Sequence, residues 1–235
     1  MKLREEKEDL DQQVKNKIQE EKIVNIGFDI DNTLTDETEF EFEMYQKWRT
    51  DIAHIGPYTQ YRNLAGVTFL DRYPATEKIV NDQFQKWYFP VVVKEAPLRL
   101  GIKELLEELP KISVHEYRFT SHIITRRDDY YEGPYSGPMM RQDTIDRFKK
   151  EGLKYDKIFF RGFNKKQTMK DNNIHILVDD DPMNIFQVST EFPIIVANKP
   201  YNKNITGRNI YNKENVFDTD IFTGVLKNII EEVIL

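Results

Sequence analysis

Apolar positions along the chain change their period three times. In residues 1–22, MKLREEKEDLDQQVKNKIQEEK, only Leu3, Leu10, Val14 and Ile18 are large and apolar in a thin helical stripe, which predicts a mostly exposed, charged helical extension. A dimerising helix is the alternative, and it would make the protein a homodimer. IVNIGFDI (23–30) is then a nearly continuous apolar run, the texture of a strand buried on both faces of a parallel sheet. Between 38 and 95 the period returns to about four, with Phe40, Met44, Trp48 and Ile52, and again with Val80, Phe84, Trp87 and Tyr88 after a break at Gly56-Pro57. At least two amphipathic helices follow, and their aromatics are expected to fill the core of a small lobe.

Beyond Pro97 and Gly101, helix and strand signals alternate. Helices are expected over 102–109, 141–153, 165–172, 182–189 and 219–234, and strands over 117–125, 157–162, 174–180 and within EFPIIVAN (191–198). Regular alternation of this kind predicts an α/β fold, a parallel sheet flanked by helices on both faces. The chain of 235 residues then divides into an extension (1–22), a core (23–37 and 96–235) and a helical insertion (38–95).

Composition narrows the chemistry. There is no cysteine, so disulfides, thiolate zinc sites and cysteine nucleophiles are excluded. His54, His115, His122 and His175 show no ligand spacing. With 34 basic and 40 acidic residues, stable nucleic-acid binding is not expected. No stretch has the makings of a signal peptide or a membrane span, which predicts a cytoplasmic protein with no membrane association. No G-x-x-x-x-G-K-[ST] loop follows a strand, which argues against an ATP-driven kinase.

In an open parallel sheet, ligands bind beyond the carboxyl ends of the strands. The predicted strand ends carry Asp29 and Asp31, then Thr125, then Asp179, Asp180 and Asp181. Carboxylates gathered in a cleft require a cation, and an oxygen-only donor set suits magnesium.

These residues resemble the motifs of the haloacid dehalogenase-like (HAD) phosphohydrolases. Asp29-Ile30-Asp31-Asn32-Thr33-Leu34 looks like motif I, Ile123-Ile124-Thr125-Arg126 like motif II, and Val178-Asp179-Asp180-Asp181-Pro182 like motif IV, in order and in register from residue 23 to about 202. One D-x-D-x-T is a weak signal, whereas these three in register, with a motif III lysine ahead of the last, are strong together. The resemblance implies a Rossmann-like HAD fold with Asp29 as nucleophile, forming an aspartyl-phosphate, and Asp31 as general acid and base. It implies Mg2+ held by Asp29, Asp31 through its carbonyl, and the motif IV pair, with Asp180 the better match to the direct ligand and Asp179 its partner. Thr125, Arg126 and a lysine would hold the phosphoryl oxygens. The family's lysine lies about fourteen residues before motif IV, which points to Lys165, with Lys166 one step off. Arg126 and Arg127 depart from the usual small residue and arginine, and both a surface pair and a phosphate clamp stay open. Asp181 falls at the variable position, where helix capping is its expected role.

The insertion over 38–95 occupies the place of this family's C1-type cap, which implies a small phosphorylated substrate. PLRLGIKELLEEL, NIHILVDDDPMNI and ANKPYNKN further resemble the 5′-nucleotidase type C and 5′(3′)-deoxyribonucleotidase branch. That implies a magnesium-dependent phosphatase of (deoxy)nucleoside monophosphates. A phosphatase of another small substrate, such as a sugar phosphate, or a phosphotransferase using the same intermediate, is the alternative.

Overall fold

The computed structural model describes residues 18, 20–127, 135, 137–160 and 164–235. Most of the expected N-terminal helix lies outside these residues. Its end is anchored, with Ile18 buried in the main core and the Lys22 N–H donating to the Ile18 carbonyl at 2.9 Å.

The strands are β1 (Ile23–Phe28), β2 (Ser113–Val114), β3 (Tyr117–Ile124), β4 (Lys157–Phe159), β5 (Ile176–Asp179), β6 (Ile194–Val196) and β7 (Ile210–Asn212). They form one sheet in the order β2-β3-β1-β5-β6-β7, with β4 also paired to β3. All pairings are parallel except β2 with β3, so β2 and β4 share the edge of β3 that faces away from β1. The chain leaves central β1 towards β3 and β4, then returns to its other side for β5. The order therefore reverses beside β1, where an open sheet forms its ligand crevice.

β1 is central because its residues can be buried on both faces. Val24, Ile26 and Phe28 are fully buried, and Phe28 stacks on Phe222 with centroids 6.1 Å apart. On the opposite face Gly27 admits its neighbours closely, since a Cβ there would lie 2.7 Å from Ile124 Cδ1.

The helices are α1 (Thr38–Lys47), α2 (Phe69–Arg72), α3 (Lys78–Glu95), α4 (Ile102–Glu108), α5 (Pro138–Glu151), α6 (Lys165–Asp171), α7 (Pro182–Ser189) and α8 (Thr219–Ile229). α1 to α3 pack around an aromatic cluster of their own that includes Tyr45, Trp48, Phe69, Tyr73, Phe84 and Tyr88. The predicted stripe of α1 is only partly kept. Trp48 is buried, but Tyr45 takes the central place on a face shared with Glu41, and Ile52 is exposed at the end of a π turn over Trp48–Ile52 that rotates the helix face. Both short edge strands, β2 and β7, lie outside the elements expected from patterning. Among the described residues, no helix is long and apolar enough to cross a membrane.

Arg147 of α5 holds the end of α3. Its buried guanidinium donates to the Val92 and Val93 carbonyls at 3.3 and 3.2 Å and to the Ala96 carbonyl, adding a donor to the acceptors around the end of α3. Arg147→Met should leave those buried carbonyls without this donor and lower stability by about 1–3 kcal/mol. Urea unfolding followed by circular dichroism would measure the loss, and an unchanged midpoint would refute this role.

Candidate active site

Parallel register brings the motif residues to one edge. Phe28 pairs with Ile123 on one side and with Val178 on the other, so Asp29, Thr125 and Asp179 emerge at nearly the same level. The Asp29 N–H continues the ladder to the Val178 carbonyl at 2.9 Å, and the Asp179 carbonyl accepts from the Ala197 N–H at 2.9 Å. The Asp29 and Asp179 carboxylates are thus carried by backbone tied into the sheet ladder.

Lys165, at the start of α6, is almost completely buried. Its Nζ donates to Asp29 Oδ1 at 2.5 Å and to Asp179 Oδ2 at 2.6 Å. Lys166 points elsewhere and pairs with Glu191 at 3.3 Å. Asp179 is further held by the Asp181 N–H at 2.9 Å and by Asn184 Nδ2 at 3.1 Å. Asp180 accepts from Thr33 Oγ1 at 2.9 Å and from the Tyr201 hydroxyl. Asp181 caps α7, accepting from the Met183 N–H at 2.8 Å, with Pro182 in the first turn.

Asp31 lies on the turn over Ile30–Leu34, where Asn32 adopts φ +60° and the Thr35 N–H reaches back to the Ile30 carbonyl at 3.0 Å. Asn tolerates the left-handed region better than most residues. Arg99 holds this turn from outside, donating to the Thr33 carbonyl at 3.0 Å and to the Asn32 carbonyl. The Asp31 carboxylate receives Arg127, through Nη2 at 2.6 Å and Nε at 3.1 Å.

Of the two adjacent arginines, Arg127 is therefore the one that reaches the motif I carboxylates. Arg126, expected among the phosphate-binding residues, donates to Asn184 Oδ1 at 3.2 Å and lies 4.0 Å from Asp181. Thr125 is fully buried just past β3, its hydroxyl oxygen accepting from the Arg127 N–H at 3.2 Å. Patterning did not single out Arg99, Glu37 or Tyr201 for any role at the site. Tyr201 entered only within a short family-like motif, and nothing in the local sequence of the others distinguishes them from surface charges.

The electrostatics follow from burial. Burial raises the Asp29 pKa well above the usual carboxylate range. Lys165 opposes that rise, and the charges of Asp179, Asp180 and Asp31 add to it. Burial and the charge of Asp179 push Asp180 up to about 6. Burial would also raise Asp31, but the charge and hydrogen bonds of Arg127 prevail and hold it below its usual value. Glu37, buried and accepting from Thr35 Oγ1 at 2.7 Å, is raised well above its ordinary value by burial and by the neighbouring Asp31 charge. Lys165 loses stability as a cation through burial, but Asp179 and Asp29 more than restore it.

Oxygens of Asp29, Asp179 and Asp180 lie within 4.8 Å of one another, and all three side chains are buried. Lys165 and Arg127 supply two positive charges to the four carboxylates of Asp29, Asp31, Asp179 and Asp180. The excess of negative charge and the all-oxygen donor set fit a hard divalent cation such as magnesium.

No protein-family model matches the chain, and no curated protein matches it by sequence. Solved structures do. A HAD-superfamily hydrolase of subfamily IA from Geobacter sulfurreducens superposes with a TM-score of 0.53 at 13% identity, covering 87% of this chain and 97% of its own. A protein assigned as a β-phosphoglucomutase from Thermotoga maritima gives 0.51 at 14% identity, covering 89% and 99%. The fold is that of the HAD hydrolases. Within it, the sheet order places β1 and β5 side by side at the crevice, with the charged residues just past their carboxyl ends.

Proposed function

We propose that this protein is a magnesium-dependent phosphohydrolase of small phosphomonoesters that works through an aspartyl-phosphate on Asp29. The observation that carries this reading is the Lys165 ammonium between Asp29 and Asp179, with Asp180 beside them. A lysine so buried and doubly paired fixes the rotamer of Asp29 and offers its charge to an incoming phosphoryl group.

Asp29, Asp180 and the Asp31 carbonyl would hold the magnesium ion, with Asp179 supporting them, and its charge offsets that of the phosphoryl oxygens. An Asp29 carboxylate oxygen attacks phosphorus, the ester P–O bond breaks, and Asp31 gives its proton to the departing oxygen. Asp31, now a carboxylate, takes a proton from water. That water attacks the same phosphorus, and the P–O bond to Asp29 breaks to release phosphate. Arg127 favours the carboxylate form of Asp31 that this second step needs. Transfer of its hydrogen bonds to phosphoryl oxygens would free Asp31 to hold the proton needed for the first. Thr125 and Lys165 complete the phosphate contacts.

Residues 38–95 would act as the lid over this site and select the leaving group. The large aromatic rings at the centre of this segment stack on one another, Tyr45 against Phe69 and Phe84 at 4.9 Å, and are buried. They are thereby withdrawn from stacking on a nucleobase. The Thermotoga maritima neighbour bears the name of a sugar-phosphate enzyme. We therefore place sugar phosphates ahead of nucleoside monophosphates as the substrate class, and the nucleotidase branch becomes the second reading, resting on the resemblance of ANKPYNKN.

A phosphate-release screen over sugar phosphates, nucleoside monophosphates and lipid-headgroup phosphates would test both levels. EDTA should abolish release and added magnesium should restore it. Turnover of nucleotides alone would return the nucleotidase branch to first place. An alcohol acceptor that diverts phosphate from water would favour a phosphotransferase. Absence of release from every phosphomonoester with magnesium present would overturn the proposal itself.

A further inference from the structure

Pro200-Tyr201-Asn202 is a motif for which the mechanism above has no use, yet its side chains run directly to the carboxylate cluster. The Tyr201 hydroxyl donates to Asp180 Oδ2, while Thr33 Oγ1 donates to Oδ1 at 2.9 Å. The loop that carries Tyr201 is itself fixed. Asn202 is fully buried, and its Nδ2 donates to the Asp180 carbonyl at 2.7 Å and to the Ala197 carbonyl at 3.0 Å. Its Oδ1 accepts from the Lys199 N–H at 2.7 Å. Asn212, on edge strand β7, then donates to the carbonyls of Asn202, Lys203 and Ile205 at 3.0, 3.2 and 3.1 Å. β7 thus braces a loop whose single hydroxyl is delivered to one carboxylate oxygen.

We propose that Tyr201 is a positioning residue for magnesium, fixing the rotation of the Asp180 carboxylate so that its remaining lone pairs face the cation. A carboxylate oxygen offers two lone pairs, so a hydrogen bond from one side leaves the other free for a metal. Groups that hydrogen-bond a ligating carboxylate orient it, and their removal typically costs about 10–100-fold in metal affinity or activity. The proposal rests on the reading of Asp180 as a magnesium ligand. It gives the tyrosine of the Pro-Tyr-Asn motif a role at the metal centre.

The test is calorimetric titration of the full, EDTA-stripped chain with magnesium chloride, comparing Tyr201→Phe with the unaltered protein. Tyr201→Phe removes one oxygen and keeps the ring. Magnesium affinity should fall by about 10–100-fold, while the melting temperature in EDTA stays near that of the unaltered protein. Tyr211→Phe is the control, because that hydroxyl pairs with Glu232 at 2.9 Å on the far edge of the sheet, and it should leave magnesium affinity unchanged. Unaltered affinity in Tyr201→Phe overturns the proposal, whether or not the melting temperature falls. If the unaltered protein shows no binding heat and no magnesium-dependent rise in melting temperature, the metal reading of Asp180 falls with it.

Discussion

Asp29→Asn is expected to bring phosphate release down by roughly 10⁴-fold or more, the scale on which losing a nucleophile that acts within a catalytic unit is felt. Asparagine keeps the shape of the side chain, and its carbonyl oxygen can still accept from Lys165, but a neutral amide does not attack phosphorus. At about 1.4 kcal/mol per tenfold, the loss amounts to at least about 5 kcal/mol of transition-state stabilisation. The fold should not suffer. Burial and the charges of Asp179, Asp180 and Asp31 raise the folded-state pKa of Asp29 despite Lys165. A carboxyl with a raised pKa stabilises the folded state at low pH, and that contribution is lost as pH rises through the folded pKa. At neutral pH without metal, keeping the Asp29 carboxyl in its buried place therefore costs stability that asparagine restores. Asp29→Asn in EDTA at pH 7.5 should melt no lower than the unaltered chain while being inactive with magnesium. Turnover within tenfold of the original would remove Asp29 as nucleophile.

The sequence carried the central part of this arrangement in the open because parallel strands leave little freedom. A continuous apolar run such as Ile23–Phe28 can only be an inner strand, and charge placed at its end must lie on the crevice edge. The same logic brought Asp179 and Asp180 to that edge, and the spacing implied by the family resemblance pointed to Lys165, whose Nζ lies between Asp29 and Asp179. Legibility ended where contacts depend on loops. Arg126 and Arg127 leave β3 side by side, and only the path of the backbone after Thr125 decides that the second turns back to Asp31. β7 was invisible because Ile210–Asn212 is three residues long, half-buried and without alternation. Tyr201 was legible as a letter in a motif, but its contact with Asp180 depends on a loop held by Asn202 and Asn212.

Lys165→Met should be the most destabilising single change at the site, lowering stability at pH 7.5 in EDTA by about 3–5 kcal/mol, the cost of breaking a buried ion pair from one side. The lysine is nearly inaccessible, and its ammonium pairs with both Asp29 and Asp179. Its folded-state pKa is raised, so its contribution is complete at every pH below the ordinary lysine value and cannot vanish on mild acidification. The deficit of the variant should nevertheless shrink from pH 7.5 to pH 5, because without the ammonium nothing offsets the burial that raises Asp29, and protonation of Asp29 removes uncompensated charge. Lys166→Ala is the matched control one residue away. Its partner Glu191 is also held by Lys170, and an ion pair of that partly exposed kind contributes about 0–1 kcal/mol. Urea unfolding of both variants at the two pH values would separate them, and phosphate release should be lost in Lys165→Met but kept in Lys166→Ala. Equal costs at the two positions would mean that the ammonium between Asp29 and Asp179 neutralises nothing essential, and both the stability argument and the phosphate-binding role of Lys165 would fall together.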